Sequence, residues 1–385
     1  MASRQSALRS VGSQENFPFL DLQTQFAGIR AEILAAVIRV LESQHFILGA
    51  EVEAFEKDIA RLVGCRSAIG CASGSDALLL ALMALEIGPR DEVITTPFTF
   101  VATAGSIARL GARPVFVEID PVDFNLDPSE VVKAITPRTR AILPVHLFGL
   151  PADMDSILEI ARVHRLAVVE DAAQAIGARH NGKAVGSMGI LGCFSFFPSK
   201  NLGGAGDSGI ITTDDLELAE RLRILRAHGS RNKYQYELLG INSRLDALQA
   251  AILKAKLPHL EEWTASRRQN AELYRTFFSE FGLCDMVRLP PVTHDRTHVY
   301  NQFVIRTTRR DNLREFLKSI GIPTEIYYPH GLHMQPAFSY LGYHKGQFPK
   351  AEAACAEVLA LPVYPGMSYD QLRMVVAAIA KFFAQ

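Results

Sequence analysis

The sequence predicts an α/β fold, with a mostly parallel central sheet, helices on both of its faces and a smaller C-terminal α+β domain. Three observations support this prediction. Short apolar runs alternate with stretches of helical period between residues 68 and 226, as in a parallel sheet covered on both faces. The alternation stops at about Leu245, where longer helical patterns begin. With 385 residues, of which 48% are hydrophobic, the chain can bury a large core.

The elements follow from the spacing of apolar residues. Helical spacing from Ile29 to Leu41 predicts a first helix, and residues 51–63 predict a second. The predicted strands cover 68–70, 92–95, 114–118, 141–145, 166–169, 193–196 and 210–212. The predicted helices between them cover 75–85, 102–110, 129–135, 153–164 and 216–226.

The C-terminal region begins with long helical patterns. Its predicted helices cover 245–257, 261–278, 311–319, 351–359 and 370–383, with a strand over 299–306 and a loop rich in Tyr, His and Pro over 323–336. We therefore predict three parts: a flexible extension over 1–16, a large domain over 17–245, and connecting helices with a small domain over 246–385.

Composition narrows the range of partners. The net charge is −1, which argues against nucleic acid and acidic membrane surfaces as partners. No apolar run approaches the roughly 20 residues of a membrane span, and the N-terminal residues lack the apolar core of a secretory signal. The five cysteines are odd in number and have no C-x-x-C spacing. They predict reduced thiols and a cytoplasmic protein, with no metal site.

Lys200 lies in an unusual setting. It follows an apolar run and precedes a glycine-rich turn. Partial burial there would favour the neutral amine, which can form a Schiff base with an aldehyde such as pyridoxal phosphate. Taken alone, a lysine is more often a surface residue whose stem lies along apolar neighbours, and the neighbouring motifs are what favour the Schiff base here.

The same turn contains a G-x-G-x-x-G pattern at Gly204, Gly206 and Gly209. A dinucleotide-binding turn needs a strand before this pattern and a helix after it. Here a β-type run follows, so we set the nicotinamide interpretation aside.

Asp171 ends the apolar run over 166–169. The carboxyl ends of parallel strands face the ligand crevice, so this carboxylate is expected beside a ligand. It can hold a pyridine nitrogen protonated, and Ala173 can lie flat against the same ring. A helix cap or a structural salt bridge is the alternative interpretation of Asp171.

A phosphate site is expected where Ser73, Gly74 and Ser75 lead into a helix, because free amides and the helix dipole favour an anion there. The same residues are also compatible with a simple capping box. Phe100, after another predicted strand, is a candidate to stack on a cofactor ring, although most phenylalanines belong to the core.

Six motifs together give the chain a family resemblance. They are 74–78 (Gly-Ser-Asp-Ala-Leu), 91–95 (Asp-Glu-Val-Ile-Thr), 146–149 (His-Leu-Phe-Gly) before 151–155 (Pro-Ala-Asp-Met-Asp), 170–174 (Glu-Asp-Ala-Ala-Gln), 195–200 (Ser-Phe-Phe-Pro-Ser-Lys) and 242–246 (Asn-Ser-Arg-Leu-Asp). From Asp21 to about Leu361 the chain resembles the DegT/DnrJ/EryC1/StrS sugar aminotransferases. That resemblance implies the type I fold of pyridoxal phosphate enzymes.

The resemblance also implies residue roles. Lys200 would form the Schiff base and Asp171 would face the pyridine nitrogen, with Gln174 at the ring hydroxyl. The rest of the implied cofactor site comprises Ser195 with Gly74 and Ser75 at the phosphate, Phe100 and Ala173 on opposite ring faces, and Asn242 at the phosphate of a neighbouring subunit. Asn242 therefore implies a homodimer with shared active sites. Two departures from the family pattern, Ser75 in place of threonine and Ser208 in place of glycine, remove no needed group.

The implied reaction is transamination from L-glutamate to a nucleotide-linked keto sugar, with pyridoxamine phosphate as the intermediate form of the cofactor. Arg244, Tyr327, Tyr328 and His330 are the candidate substrate contacts. The run at 242–246 looks more like family members that aminate carbon 3 than like those that aminate carbon 4. His146 and His333 are further candidates for substrate contact, and neither has the spacing of a metal ligand.

Four alternatives stay open. A 4-keto sugar is the alternative acceptor. Sugar dehydratases of the same fold carry histidine in place of the lysine, so Lys200 argues against them. A cysteine desulfurase needs a reactive thiol, and Cys284 and Cys355 lie in no recognisable loop motif. A non-catalytic regulator that binds the cofactor is the alternative from a different functional class.

Overall fold

A computed structural model describes residues 18–385, and its centre is a seven-stranded sheet. The strands are β1 (Ser67–Cys71), β2 (Glu92–Thr95), β3 (Arg113–Phe116), β4 (Thr139–Ile142), β5 (Ala167–Asp171), β8 (Leu191–Ser195) and β9 (Gly209–Thr213). Their spatial order is β1-β9-β8-β5-β4-β2-β3. All seven predicted strands are present, with ends that differ by a few residues.

Only β9 runs against its neighbours in this sheet. It pairs antiparallel with both β1 and β8, whereas the pairs from β8 through β5, β4 and β2 to β3 are parallel. The prediction of a mostly parallel sheet is therefore confirmed. The carboxyl ends of β5 and β8 lie side by side, because Asp171 pairs with Cys193, and Asp171 and Ser195 end these two strands at one edge of the sheet.

Helices pack around this sheet as the alternation predicts. They are α1 (Leu22–Ser43), α2 (Ala50–Val63), α3 (Gly74–Ala84), α4 (Val101–Arg109), α5 (Pro128–Ala134), α6 (Met154–His164) and α7 (Leu216–Leu225). Helix α3 is the most enclosed of those beside the site: seven of its eleven residues are buried. Its apolar residues pack against β8 and β9 on one side and against α4 and α7 on the other.

The C-terminal region has its own core. It contains α8 (Ala247–Lys256), α9 (Leu260–Glu280), α10 (Arg310–Ser319), α11 (Pro349–Glu357) and α12 (Tyr369–Phe383), with the antiparallel strands β13 (Phe303–Arg306) and β14 (Val358–Leu361). A buried cluster with Tyr274, Phe303 and Ile379 joins α9, α10, α12 and the two strands. Helix α8 packs on α1 and α2.

One predicted helix end was wrong. The helix predicted over 351–359 corresponds to α11, but α11 ends at Glu357 and Val358 begins β14. The four residues of β14 are fully apolar and buried, and they pair with β13. A short apolar run flanked by helix does not reveal a strand whose partner lies some 50 residues away.

Two small sheets were not predicted. One joins β6 (Arg179–His180), β7 (Lys183–Ala184) and β12 (Arg296–Thr297), and the other is the hairpin of β10 (Ser230–Asn232) and β11 (Gln235–Tyr236). Strands of two or three residues carry too little alternation to be recognised.

The N-terminal extension predicted over 1–16 lies outside the described residues. Within residues 18–385, no helix combines the length and the apolar character that crossing a membrane requires.

Candidate active site

Asp171 ends β5 and is almost completely buried, with 4% of its surface exposed. One carboxylate oxygen, Oδ2, accepts a hydrogen bond of 2.8 Å from the hydroxyl of Thr103. The other, Oδ1, accepts one of 3.2 Å from the amide of Ala173. Burial raises the pKa of Asp171, while these donors and the charge of Lys200 oppose that rise. The prediction that Asp171 lies at the carboxyl edge of the sheet is met.

Lys200 lies in the connection between β8 and β9, and its amide donates to the carbonyl of Phe197 over 2.8 Å. Its side chain is half-buried, and within residues 18–385 its Nζ makes no hydrogen bond or ion pair. Burial lowers the pKa of Lys200 from 10.5 to about 8, and the charge of Asp171 works in the opposite direction. A pKa of about 8 leaves roughly a tenth of the amine neutral at pH 7, far more than an ordinary lysine has, and a nucleophilic amine requires the neutral form.

A pocket for an anion lies at the start of α3. Ser73 caps this helix, because its hydroxyl accepts from the amide of Asp76 over 3.1 Å. The amides of Gly74 and Ser75 precede the helical ladder and have no acceptor in the described part of the chain. A Cβ added to Gly74 would lie 2.5 Å from the Cβ of Ser195. Glycine therefore lets the helix start approach the end of β8 and brings the Ser195 hydroxyl beside two free amides.

The glycine-rich turn has a packing role instead of a nucleotide-binding one. A Cβ on Gly209 would overlap the carbonyl of Ser73, and one on Gly203 would overlap the carbonyl of Pro198. Gly204 and Gly206 lie against Gln249, whose Oε1 accepts from the amide of Ala205 over 2.8 Å. No helix follows, since Gly209 begins β9. Setting aside the dinucleotide interpretation was correct.

These residues fit a pyridoxal phosphate site. A pair of free amides and a hydroxyl suit a phosphate, a buried carboxylate suits a pyridine nitrogen, and a lysine of lowered pKa suits the aldehyde. The chain also matches the DegT/DnrJ/EryC1/StrS aminotransferase family over residues 27–380. It belongs to that family.

Individual relatives agree with this membership. A pleiotropic regulatory protein of Geobacillus stearothermophilus is 52% identical over 96% of this chain and 99% of its own length. A UDP-N-acetyl-3-dehydro-alpha-D-glucosamine 3-aminotransferase of Acidithiobacillus ferrooxidans is 46% identical over 94% of this chain and 97% of its own. Among solved structures, DesV of S. venezuelae in complex with a ketimine intermediate has a TM-score of 0.93 and 45% identity, covering 96% of this chain and 99% of that one.

These comparisons confirm four predictions made from the sequence: the family, the type I fold, an aminotransferase, and pyridoxal phosphate with its pyridoxamine form as the cofactor. They do not test the role of any single residue. The placement of each candidate side chain therefore rests on the geometry of this chain.

Gln174 connects the sheet edge to the loop over residues 323–336, which carries Tyr327 and Tyr328 and is called the tyrosine loop below. Its Oε1 accepts a hydrogen bond of 2.6 Å from the amide of Phe148, and its Nε2 donates over 3.2 Å to the hydroxyl of Tyr328. The ring of Tyr328 lies 6.4 Å from that of Phe100 and 6.1 Å from that of Tyr327. Phe100 is 55% exposed, so one of its ring faces is available to a ligand. The structure thus brings together the ring-stacking candidate and two of the substrate candidates.

Three predicted residues stand apart. The side chains of Asn242, Arg244 and His330 form no hydrogen bond or ion pair with any residue from 18 to 385. Asn242 and His330 are exposed and Arg244 is half-buried. Their predicted roles toward a second subunit or a substrate remain predictions.

His146 and His333 are not available to a substrate. His146 is completely buried: its Nδ1 accepts from the amide of Ala152 over 3.0 Å and its Nε2 donates to Glu170 over 2.9 Å. His333 is 2% exposed and its Nε2 lies 3.1 Å from Oε1 of Glu352. Both residues hold structure together, so their candidacy as substrate contacts was wrong.

Glu170, next to Asp171, points to the opposite face of β5 and serves the fold. Its carboxylate is fully buried and accepts from the amides of Gly186, Met188 and Gly189 at 2.7, 2.8 and 2.6 Å, besides His146. Four donors satisfy the charge, and they tie the turn before β8 to β5.

Sequence reasoning missed several polar residues around the site. Thr99 and Thr103 extend the hydrogen bonds of Asp171. Ser243 accepts from the amide of Ala72 over 3.1 Å and donates to Asp76 over 2.8 Å, which joins the segment of Asn242 to the start of α3. Asn201, next to Lys200, is 4% exposed. An available signal was position, because each one lies within three residues of a predicted site residue.

Proposed function

We propose that this protein transfers the amino group of L-glutamate to a nucleotide-linked 3-keto sugar. The observation that carries the proposal is the proximity of a half-buried lysine of lowered pKa to a buried carboxylate at the carboxyl edge of the sheet, whose charge acts on that lysine without an ion pair. Support for the sugar comes from the 3-aminotransferase of A. ferrooxidans, which is similar over nearly its whole length.

When bound, pyridoxal phosphate supplies an electron-withdrawing ring that absorbs the negative charge left on the amino donor when its α-proton departs. Asp171 would hold a proton on the pyridine nitrogen. Its Oδ1 and Oδ2 each have one donor from the protein, and a carboxylate oxygen accepts more than one hydrogen bond. The buried carboxylate therefore keeps capacity for the ring N–H.

Lys200 would act at two stages. Its neutral amine would hold the aldehyde of the cofactor, and its Nζ, when free, would move protons. Nζ takes the proton from the α-carbon of the donor, for which a pKa of about 8 is well matched near neutral pH. The protonated Nζ of Lys200 would then donate that proton to complete the amino transfer.

The phosphate would bind at the start of α3. The free amides of Gly74 and Ser75, the hydroxyl of Ser195 and the dipole of an eleven-residue helix all favour an anion there. We assign Asn242 to the phosphate of a second copy of the chain. Its exposed side chain has no partner within residues 18–385, and such a contact makes the active protein a homodimer.

The ring would lie between Phe100 and Ala173, with Gln174 at its hydroxyl. Tyr327, Tyr328, His330 and Arg244 are the proposed contacts of the sugar nucleotide. Tyr328 is the best placed of these, since Gln174 already holds its hydroxyl at 3.2 Å. We also propose a cytoplasmic location, where all five free cysteines stay reduced, and a division into domains at about residue 245.

An absorption experiment tests the first half of the reaction. The purified protein is loaded with pyridoxal phosphate and titrated with L-glutamate in the absence of any sugar. A yellow band that bleaches as one equivalent of 2-oxoglutarate forms supports the proposal. A band that persists with glutamate, while bleaching with another amino acid, contradicts the assigned donor. A Lys200→Ala variant is the control, and normal turnover by that variant would refute the assigned lysine.

The second half is tested with keto sugars. Glutamate-treated protein is freed of excess amino acid and given UDP- or dTDP-linked 3-keto and 4-keto hexoses, and the amino sugar is identified by mass spectrometry and NMR. Amination at carbon 3 supports the proposal. Amination only at carbon 4 favours the alternative acceptor.

The second candidate function is a regulator that binds the cofactor without amino transfer. The observation in its favour is the 52% identity to a protein named as a pleiotropic regulator. It predicts a yellow band that no amino acid bleaches, so the absorption experiment separates the two.

A further inference from the structure

Two threonine hydroxyls continue inward from the Asp171 carboxylate. Thr103 Oγ1 lies 2.8 Å from Asp171 Oδ2, and Thr99 Oγ1 lies 3.0 Å from Thr103 Oγ1. Thr103 is completely buried and Thr99 is 2% exposed. The three side chains therefore form one chain of hydrogen bonds away from bulk water.

Proton counting fixes the direction of this chain. Each hydroxyl has one proton to donate. When Asp171 is ionised it can only accept, so Thr103 must donate to Asp171, and Thr99 must donate to Thr103. If Oδ2 carried a proton, Asp171 would donate instead and both hydroxyls would turn around. The ionised carboxylate receives a donor on each oxygen, Thr103 on Oδ2 and the Ala173 amide on Oδ1. Hydrogen bonds to a charged acceptor are stronger than those to a neutral one, so these contacts favour the ionised state.

The hydrogen bonds of the two threonines also link two parts of the site. Thr103 lies in α4, whose N-cap is Phe100, and the amide of Thr103 donates to the carbonyl of Phe100 over 3.2 Å. Helix α4 therefore carries both the residue assigned to stack on the ring and the hydroxyl that holds the carboxylate. A ring bound against Phe100 would meet a carboxylate whose orientation is set from the same helix.

We propose that Thr103, supported by Thr99, is a positioning residue that keeps Asp171 anionic and in one orientation for the ring nitrogen. This inference rests on the proposed role of Asp171 in the reaction. Neither threonine touches the reacting atoms, so both act through Asp171.

Other charges around Asp171 have to be held constant in a test. Lys200 faces it from the connection after β8, His146 from the end of β4, Cys193 from β8 and Tyr328 from the tyrosine loop. None of these residues bonds to Thr103. Replacing the Thr103 hydroxyl with a methyl group of similar size therefore leaves these four residues in place.

The test compares four variants of the full chain. Thr103→Val removes the hydroxyl at nearly constant shape, Thr103→Ser restores it, and Thr99→Val removes only the second donor. Thr95→Val is the matched control, because its hydroxyl is equally buried but donates to the carbonyl of Leu143 over 2.9 Å. The ionisation of Asp171 is followed by NMR of protein labelled with ¹³C at aspartate carboxyls, with the signal assigned from Asp171→Asn.

The expected result is a rise in the Asp171 midpoint of about one pH unit in Thr103→Val, since a hydrogen bond to a charged group is worth roughly that much. Thr103→Ser should return to the parent midpoint, Thr99→Val should shift in the same direction by less, and Thr95→Val should not shift. In the loaded enzyme, Thr103→Val should lower kcat about tenfold with little change in the KM for glutamate.

Equal midpoints in Thr103→Val and Thr95→Val would overturn the proposal. If Thr103→Val does not fold, an unchanged midpoint in Thr99→Val and a shifted one in Thr103→Ser would do so. Failure of the proposed function looks different: Asp171→Asn would then retain full turnover, whatever the threonine variants do to the midpoint.

Discussion

The side chains of Asn201 and Asn301 are joined by a hydrogen bond of 2.9 Å, in which Nδ2 of Asn301 donates to Oδ1 of Asn201. Asn201 also donates from Nδ2 to the carbonyl of Val299 over 2.9 Å. Both asparagines are buried. The residue that follows the candidate Schiff-base lysine is thus fastened to a segment a hundred positions further along the chain.

Asn201→Ala should therefore destabilise the protein and weaken the anchoring of the segment that carries Lys200. It would leave the Val299 carbonyl and the Asn301 amide buried without partners, a loss of about 2–3 kcal/mol in the free energy of unfolding. Chemical denaturation measures the loss. Asn312→Ala is the matched control, because Asn312 is exposed in α10 and its side chain makes no hydrogen bond within residues 18–385. Equal stability of the two variants would show that the Asn201 contacts contribute nothing.

Asp171→Asn should lower the pKa of Lys200 below about 8. The carboxylate opposes the effect of burial by stabilising the ammonium, so its removal leaves burial less opposed and extends the neutral amine to lower pH. The measurement is the pH dependence of labelling of Lys200 by an amine-reactive reagent, read by peptide mass spectrometry without added cofactor. A midpoint that rises or stays fixed would contradict the interaction between these two residues.

Gly74→Ala should weaken cofactor binding by displacing the start of α3 from the end of β8. The new Cβ would lie 2.5 Å from the Cβ of Ser195 and push its hydroxyl from the free amides. We expect a loss of about tenfold or more in affinity for pyridoxal phosphate, corresponding to at least about 1.4 kcal/mol, measured by absorption titration.

Gly105→Ala is the control for that substitution. It also places alanine in a helix, but nothing lies within 4 Å of the new Cβ. Helix propensity favours alanine by up to about 1 kcal/mol, so this variant should be as stable as the parent or more so. Equal cofactor affinity in both variants would mean that Gly74 does not line the phosphate site.

His298 should make the fold sensitive to acid. Burial lowers its pKa from 6.5 to about 3, and Arg275 and Arg268 add to the effect. In the unfolded chain the same imidazole takes up a proton near pH 6.5, so between about pH 6.5 and 3 the unfolded state binds more protons. Stability from this residue is thus complete above pH 6.5 and is lost as the pH falls, by about 1.4 kcal/mol per unit.

His298→Gln should reduce that dependence. Urea denaturation at pH 7, 6, 5 and 4 compares the slopes of stability against pH for parent and variant. A variant whose stability falls with pH as steeply as the parent would show that other groups cause the acid sensitivity.

The sequence predicted the strands of the large sheet, and the positions of Asp171 and Lys200 relative to them, because both are encoded locally. Each strand of the large sheet is a short apolar run, and Asp171 and Lys200 follow such runs directly. The order of the strands is not local: nothing in 209–213 indicates that β9 inserts between β1 and β8 in the opposite direction. The end of α11 was misplaced for the same reason, since β14 exists only through its pairing with β13.

The polar surroundings of the site were harder to predict. Thr103 and Asn201 are common residue types, and their importance comes from partners 68 and 100 positions away. His146 shows the opposite error, because a histidine in a recognised motif suggested chemistry, whereas its ring is held between Ala152 and Glu170. Burial and pairing, which a single sequence does not specify, decide such cases.

The reversed direction of β9 has a consequence for which substitutions the fold can accept at position 200. Since β8 and β9 are antiparallel neighbours, the connection that bears Lys200 leaves and re-enters the sheet at the same edge. Pairing between β8 and β9 holds both ends of this connection, whichever side chain stands at position 200. Lys200, the candidate Schiff-base residue, can therefore be exchanged for a residue of different chemistry without a change in the order or direction of the strands.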